Sequence, residues 1–308
     1  MSEAICTINL TKTYEKIHAV DNLNLTIKQG EIFGFLGLNG AGKTTTIKML
    51  LGMITPTSGQ CYILGKKVSK SSINIWRDVG YIVETPYSYP DLTVRENLNI
   101  IRLLRGIEDE SCISWVMKKL KLENYSSMKA KHLSLGNAQR LGIAKAIIHR
   151  PKILILDEPT NGLDPAGIVE IRTLLMDLIE NSGVTVFISS HKLEEISKIA
   201  TNIAIIHSGQ LIKNIDTKQL ESQLKKSLII GGKNKNAMKA ILSQAGYIVH
   251  AQNESPLQIE DEYAVNNPDK IATLLVNSGH PPTLLMIKKE DLEMYFLRTI
   301  KEIEGIQK

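Results

Sequence analysis

Two short stretches of this chain carry residue types whose spacing could do chemistry on a phosphate. The first is Gly37-Leu38-Asn39-Gly40-Ala41-Gly42-Lys43-Thr44, which matches GxxxxGK[ST]. Its glycines let the backbone wrap round a phosphate with the N–H groups pointing inward. A helix that begins at the lysine adds its positive pole. Lys43 would reach the β- and γ-phosphates, and the Thr44 hydroxyl would ligate Mg2+. Gly37, Asn39, Gly40, Ala41, Gly42 and Thr45 complete the cradle. The second stretch is Ile153-Leu154-Ile155-Leu156-Asp157-Glu158, an apolar run closed by two acids. Asp157 can hold Mg2+ through water, and Glu158 can polarise an attacking water as general base. Alone, that run reads equally well as a core strand that happens to end in acid. Downstream of a phosphate loop it becomes informative.

These residues need a scaffold that delivers a loop between a strand and a helix. Alternating apolar positions predict strands at Ile5–Leu10 and Leu23–Ile27, a turn at Gln29-Gly30, and a buried strand at Ile32–Leu36. The phosphate loop follows, then a helix over Lys43–Met53. Helices are expected from Leu92 to Gly106 and over Glu110–Leu122, where Ile113, Val116, Met117 and Leu120 share a face. A third, carrying Leu141, Ala144 and Ile148, runs up to Pro151. Strands at Ile153–Asp157 and Thr185–Ser189 flank a helix at Ala166–Glu180, which implies a parallel sheet. A hairpin over Ile203–His207 and Leu211–Ile215 turns at Ser208-Gly209.

Beyond Lys218 the pattern changes. Leu228–Ile230, a helix at Lys235–Ala245, strands at Tyr247–Ala251 and Pro256–Ile259, a helix at Asp269–Ser278 and a strand at Leu284–Ile287 follow in β-α-β-β-α-β order. That order is ferredoxin-like, and a last helix, Glu290–Thr299, closes it. The expected domains are therefore residues 1–217, with a helical insert over 84–150, and residues 218–308.

Composition limits the classes available. With 43% hydrophobic and 22% charged residues among 308, the chain is an ordinary globular protein. Its net charge of +5 suits an anionic ligand or a membrane surface and is too diffuse to argue for nucleic acid. Cys6, Cys61 and Cys112 are odd in number and far apart, against a disulfide framework or zinc site and for a reducing compartment. The first residues lack the basic start and apolar stretch of a signal peptide. No apolar run approaches the ~20 residues that span a bilayer. The expectation is a soluble, cytoplasmic chain whose membrane role, if any, comes through a partner.

A further stretch identifies the family. Leu133-Ser134-Leu135-Gly136-Asn137-Ala138-Gln139-Arg140 resembles the LSGGQxQR signature of ATP-binding cassette proteins. The resemblance implies an α/β fold: a cassette core with a parallel sheet, an antiparallel β subdomain and an inserted helical subdomain, here with a small C-terminal α+β module. It also implies that two copies dimerise around ATP, with Ser134 and the Gly136 N–H facing the γ-phosphate of an ATP held by the other copy. Tyr14 resembles the aromatic that stacks on adenine, although a lone Tyr is more often a packing residue. Asn161-Gly162-Leu163-Asp164 resembles the loop that couples the two sites, or Asp164 is simply a helix cap. His191 resembles the switch histidine that touches the γ-phosphate. Leu135 and Asn137 depart from the signature's glycine and glutamine, and leucine bulk would narrow the approach to the γ-phosphate.

The informative departure is Glu84, in Tyr81-Ile82-Val83-Glu84-Thr85-Pro86, where most of the family carries glutamine. A carboxylate is a harder, anionic ligand for Mg2+ than an amide carbonyl. Thr44, Glu84 and Asp157 then form the implied metal set, with ATP and Mg2+ as the bound species. A glutamate here resembles the ATPase subunits of lantibiotic-immunity and bacitracin-resistance exporters. The implied partners are an integral membrane permease, met through Tyr87, Tyr89 and Pro90, and a second copy of the chain. The implied location is the inner face of the cell membrane. An exporter subunit for another drug or lipid, an importer subunit, and a soluble ATPase switch acting on ribosomes or DNA are the alternatives. The single phosphate loop and the lack of sustained heptads weigh against the last.

Overall fold

In the computed structural model, described for residues 2–69, 73–250 and 256–306, two long antiparallel strands open the chain, β1 (Glu3–Tyr14) and β2 (Ile17–Lys28). Only their middles were legible, because register shifts along the pair interrupt the apolar alternation. β3 (Ile32–Leu36) follows, buried at every residue, and then α1 (Lys43–Leu50). This helix stops before the expected Met53, since Leu51 caps it and Gly52 turns the chain at φ +63°. β4 (Ser58–Ile63) and β5 (Lys66–Lys67) complete an antiparallel sheet in the order β2-β1-β4-β5. The polar start Ser58-Gly59-Gln60 hid this strand from the apolar pattern.

β6 (Val79–Ile82) precedes three helices, α2 (Val94–Leu104), α3 (Ser111–Lys119) and α4 (Leu135–Ile147). Thr93 and Glu96 close a reciprocal capping box on α2. Ile113, Val116, Met117 and Leu120 are buried as their spacing predicts. The remaining elements of the first unit are β7 (Ile153–Asp157), α5 (Pro165–Ser182), β8 (Thr185–Ser190), α6 (Leu193–Ser197), β9 (Asn202–His207) and β10 (Gln210–Asp216). They build a six-stranded sheet in the order β10-β9-β3-β8-β7-β6, parallel except for the β9–β10 hairpin. β3, β7 and β8 are buried throughout, as central strands of a parallel sheet are. One apolar core joins Ile5 and Leu23 of the antiparallel sheet, Ile47 of α1, and Phe35, Ile155 and Phe187 of the six-stranded sheet. Each such side chain contributes about 1.5–3 kcal/mol on burial, so α1 is clamped between the two sheets.

The chain forms two compact units, Met1–Lys218 and Gln219–Lys308. After α7 (Thr217–Gln223) come β11 (Lys226–Gly231), α8 (Lys235–Gln244), β12 (Val249–His250), β13 (Leu257–Ile259), α9 (Glu262–Asn266), α10 (Pro268–Asn277), β14 (Leu284–Lys289) and α11 (Leu292–Ile306). The strands pair antiparallel in the order β12-β13-β11-β14, the arrangement of a β-α-β-β-α-β module. α9 was not anticipated, and β12 is shorter than the expected Tyr247–Ala251, of which Ala251 lies outside the described residues. Leu228, Ile230, Leu242, Ile259 and Leu275 form this unit's own core.

Candidate functional site

The parallel register decides which side chains meet. Leu36 of β3 lies opposite Ser190, and Asp157 of β7 lies opposite Ser189, both on β8. The glycine loop, the two acids and the Ser189-Ser190 pair therefore emerge together at the carboxyl ends of the strands, where open α/β sheets bind ligands. The loop's shape depends on glycine in two places. Gly42 has φ +104°, and a Cβ there would lie 2.3 Å from the Ala19 carbonyl oxygen. A Cβ at Gly37 would lie 2.7 Å from the Ile206 carbonyl oxygen. Any side chain at either position would push the loop off the core.

Lys43, only 6% exposed, donates to the carbonyls of Gly37 (2.7 Å) and Leu38 (3.2 Å), and its Nζ is 3.3 Å from Glu158 Oε1. The Thr44 hydroxyl donates to Asp157 Oδ2 at 2.8 Å. Ser189 bridges the acid pair: its hydroxyl donates to Asp157 Oδ1 at 2.6 Å and accepts the Glu158 N–H at 3.0 Å. His191 Nδ1 donates to Glu158 Oε2 at 2.6 Å. Glu158 itself has φ +49°, a left-handed conformation that costs a side-chain-bearing residue about 1 kcal/mol or more. The ordered contacts around it hold that strain.

Lys43, Thr44, Asp157, Glu158 and His191 thus form one connected cluster. Other expected residues stand apart from it. Tyr14 ends β1 half-exposed, with Lys12 Nζ 5.0 Å above its ring centroid. Ser134 is the N-cap of α4, its hydroxyl accepting the Asn137 N–H at 3.3 Å, with Gly136 in the first turn behind it. Glu84, at φ +56°, pairs through Oε1 with Lys48 Nζ at 2.6 Å. Asp164 caps α5 by accepting the Gly167 N–H at 2.9 Å. The exposed Leu135 packs on Gly162, where a Cβ would lie 2.3 Å from its Cδ2.

Several contributing residues escaped the sequence reading. Ser189 was seen only as the end of a strand, and its bridging role needs the β7–β8 pairing. Gln139 of α4, nearly buried, donates to the Pro159 carbonyl at 2.9 Å and so ties the helix of Ser134 to the segment after Glu158. Lys145, also on α4, donates to the Tyr87 carbonyl and to Ser88 Oγ, and burial pushes its amine down to about 8. Gly142 lets α4 approach the same segment, since a Cβ there would lie 2.5 Å from Pro86 Cβ. Replacing Ser189 with Ala is expected to cost about 1–3 kcal/mol of stability, because the Glu158 N–H loses its acceptor. Urea unfolding checks this, and an unshifted midpoint would show that the bridge contributes nothing.

Among the described residues, no three or more His, Cys, Asp or Glu side chains gather to hold a metal on their own. The oxygens of Thr44 and Asp157, which lie 2.8 Å apart, could instead serve as a partial donor set for Mg2+, alongside phosphate oxygens and waters. The arrangement as a whole is a glycine-rich loop with its buried lysine set beside the Glu158 carboxylate.

A family model described as ABC transporter matches residues 20–161. The bacitracin transport ATP-binding protein BcrA of Bacillus licheniformis is 41% identical over 301 residues, covering 97% of this chain and 98% of that protein. The lantibiotic transport ATP-binding protein SrtF of Streptococcus pyogenes is 40% identical over 204 residues, covering 66% and 87% respectively. Among solved structures, a dimeric ATP-binding cassette in a post-hydrolysis state with ADP and Pi superposes with a TM-score of 0.64. It is 29% identical, over 69% of this chain and 98% of that one. Sequence, fold and cluster agree: this chain belongs to the ABC transporter family, as a nucleotide-binding cassette that hydrolyses ATP.

Proposed function

We propose that this chain is the ATPase subunit of an exporter that expels a bacitracin- or lantibiotic-type peptide antibiotic, giving resistance or immunity. The observation that carries the reading is the extent of the likeness to the bacitracin transport protein. It spans 97% of this chain, so it takes in the C-terminal unit as well as the cassette. Glu84 supports it. Residues 1–217 are the nucleotide-binding domain on this reading, and residues 218–308 are an accessory module.

Two copies bind head to tail, each ATP lying between the loop of one and Ser134 and Gly136 of the other. Tyr14 stacks on adenine. Gly37, Asn39, Gly40, Ala41, Gly42 and Thr45 line the phosphates, and Lys43 leaves its loop carbonyls to meet the β- and γ-phosphates. Thr44, Glu84 and Asp157 would hold Mg2+, which would supply positive charge to the phosphate oxygens. Glu158 takes a proton from water as the water oxygen bonds to the γ-phosphorus and the bond to the bridging oxygen breaks, leaving ADP and phosphate. His191 orients Glu158 and meets the γ-phosphate. The halves then separate, because the charge that joined them has left.

A permease partner follows from the exporter reading, and with it a place at the inner face of the membrane. Among the described residues no helix is long and apolar enough to cross a bilayer. Tyr87, 72% exposed, and Tyr89 meet edge to face at 5.7 Å beside Glu84 and offer that partner an aromatic ledge. Deleting the gene is expected to lower the inhibitory concentration of a bacitracin- or lantibiotic-type agent several-fold. An unchanged value across a panel of such agents would refute the cargo assignment. A pull-down from native membranes with Glu158→Gln protein and Mg·ATP separates the classes. A polytopic membrane protein in near-stoichiometric amount supports the exporter, and ribosomal or DNA-binding proteins instead would support a soluble switch.

A further inference from the structure

Glu84 reaches the cassette from β6, which pairs in parallel with β7 so that Ile82 lies opposite Leu156. Two residues on from Ile82, Glu84 therefore leaves the sheet at the same end as Asp157. Its carboxylate nevertheless does not join Asp157. Its Oε1 lies 2.6 Å from Lys48 Nζ, while Asp157 Oδ2 accepts the Thr44 hydroxyl at 2.8 Å. Thr44 and Lys48 are four residues apart on α1, so they share one face, with Cβ atoms about 5–6 Å apart. The two carboxylates occupy successive rungs of the same helix.

We propose that Lys48 is a positioning residue that parks the Glu84 carboxylate one helical turn from the Mg2+-binding position, so that Glu84 must leave Lys48 before it can serve as a ligand. The proposal rests on the reading of Thr44, Glu84 and Asp157 as the metal-binding set. Two features suit the pair to this task. Lys48 and Glu84 are 32% and 62% exposed, so the pair is weak and readily exchanged. A glutamine at this position would carry no charge for Lys48 to hold, so the latch belongs to cassettes with a glutamate here. Its effect is to raise the metal concentration needed to load the site.

The test uses the full chain carrying Glu158→Gln, so that bound ATP is not turned over. Mn2+ replaces Mg2+ as the probe, and binding is read from the loss of the free-ion signal in electron paramagnetic resonance. Lys48→Met is expected to tighten Mn2+ binding roughly 2- to 5-fold, the range of an exposed ion pair. In a Glu84→Gln background the same substitution is expected to change nothing. Lys48→Gln, which keeps the side chain's length and polarity, should behave like Lys48→Met. Equal tightening in both backgrounds would mean that Lys48 acts only through its charge, and the latch falls. Unchanged or weaker binding in the Glu84 background also overturns it. If Glu84→Gln alone leaves Mn2+ affinity unaltered, Glu84 is not a ligand and the underlying reading of the site fails instead.

Discussion

Glu158→Gln is expected to lower ATP turnover by about 10²–10⁴-fold, the usual contribution of a positioned general base. The substitution keeps the shape of the side chain. Its amide oxygen can still accept from His191 Nδ1, now held at 2.6 Å, so the local packing survives. What disappears is the group that takes the proton, together with the negative charge 3.3 Å from Lys43. Removing that charge beside a γ-phosphate favours ATP, so nucleotide affinity should hold or rise. The dimer, joined through unhydrolysed ATP, should persist. Phosphate release and size-exclusion chromatography with Mg·ATP measure the two effects. Turnover within a few-fold of the parent would remove Glu158 as the base, and rapid turnover without a dimer would remove the head-to-tail arrangement as well.

Lys43→Met is expected to weaken ATP binding by about 10- to 150-fold, corresponding to the roughly 1.5–3 kcal/mol of a hydrogen bond to a charged group. Turnover should fall further, because the same ammonium stabilises charge that develops on the transferring phosphoryl group. Lys43 is among the few nearly buried charged side chains, and it is satisfied by two loop carbonyls and Glu158. Methionine of similar length fills that space, and one of the two freed carbonyls, that of Leu38, belongs to an exposed residue. The fold should therefore survive, which circular dichroism and thermal unfolding would check. Titration with a fluorescent ATP analogue reads the affinity. A value within two-fold of the parent would mean that the loop does not hold phosphate through this lysine.

The phosphate loop, the acid pair and the capped start of α4 were legible because each is local. A left-handed turn that only glycine takes easily, a lysine at a helix start and a serine N-cap act within a few residues of themselves. Apolar runs such as Ile153–Leu156 announced central strands, since both of their faces are buried. The C-terminal strand and helix order was legible too, although β14 there is largely exposed. β4, with its polar start, and β6, only four residues long, were not. Their existence depends on β1 and β7 as partners, and a single short strand carries little pattern of its own.

By itself, then, the sequence determined the family, the phosphate-binding loop, the candidate base and the glutamate that departs from the family pattern. Tertiary structure alone decided how these are held. Ser189 bridges Asp157 and Glu158 from a strand more than thirty residues away, Gln139 secures the segment after Glu158, and Lys48 holds Glu84 one turn from Thr44. The reason is physical: a turn or a cap is set by neighbours along the chain. An ion pair or a hydrogen bond between distant residues forms only after the packed sheet and helices have fixed which side chains share a face.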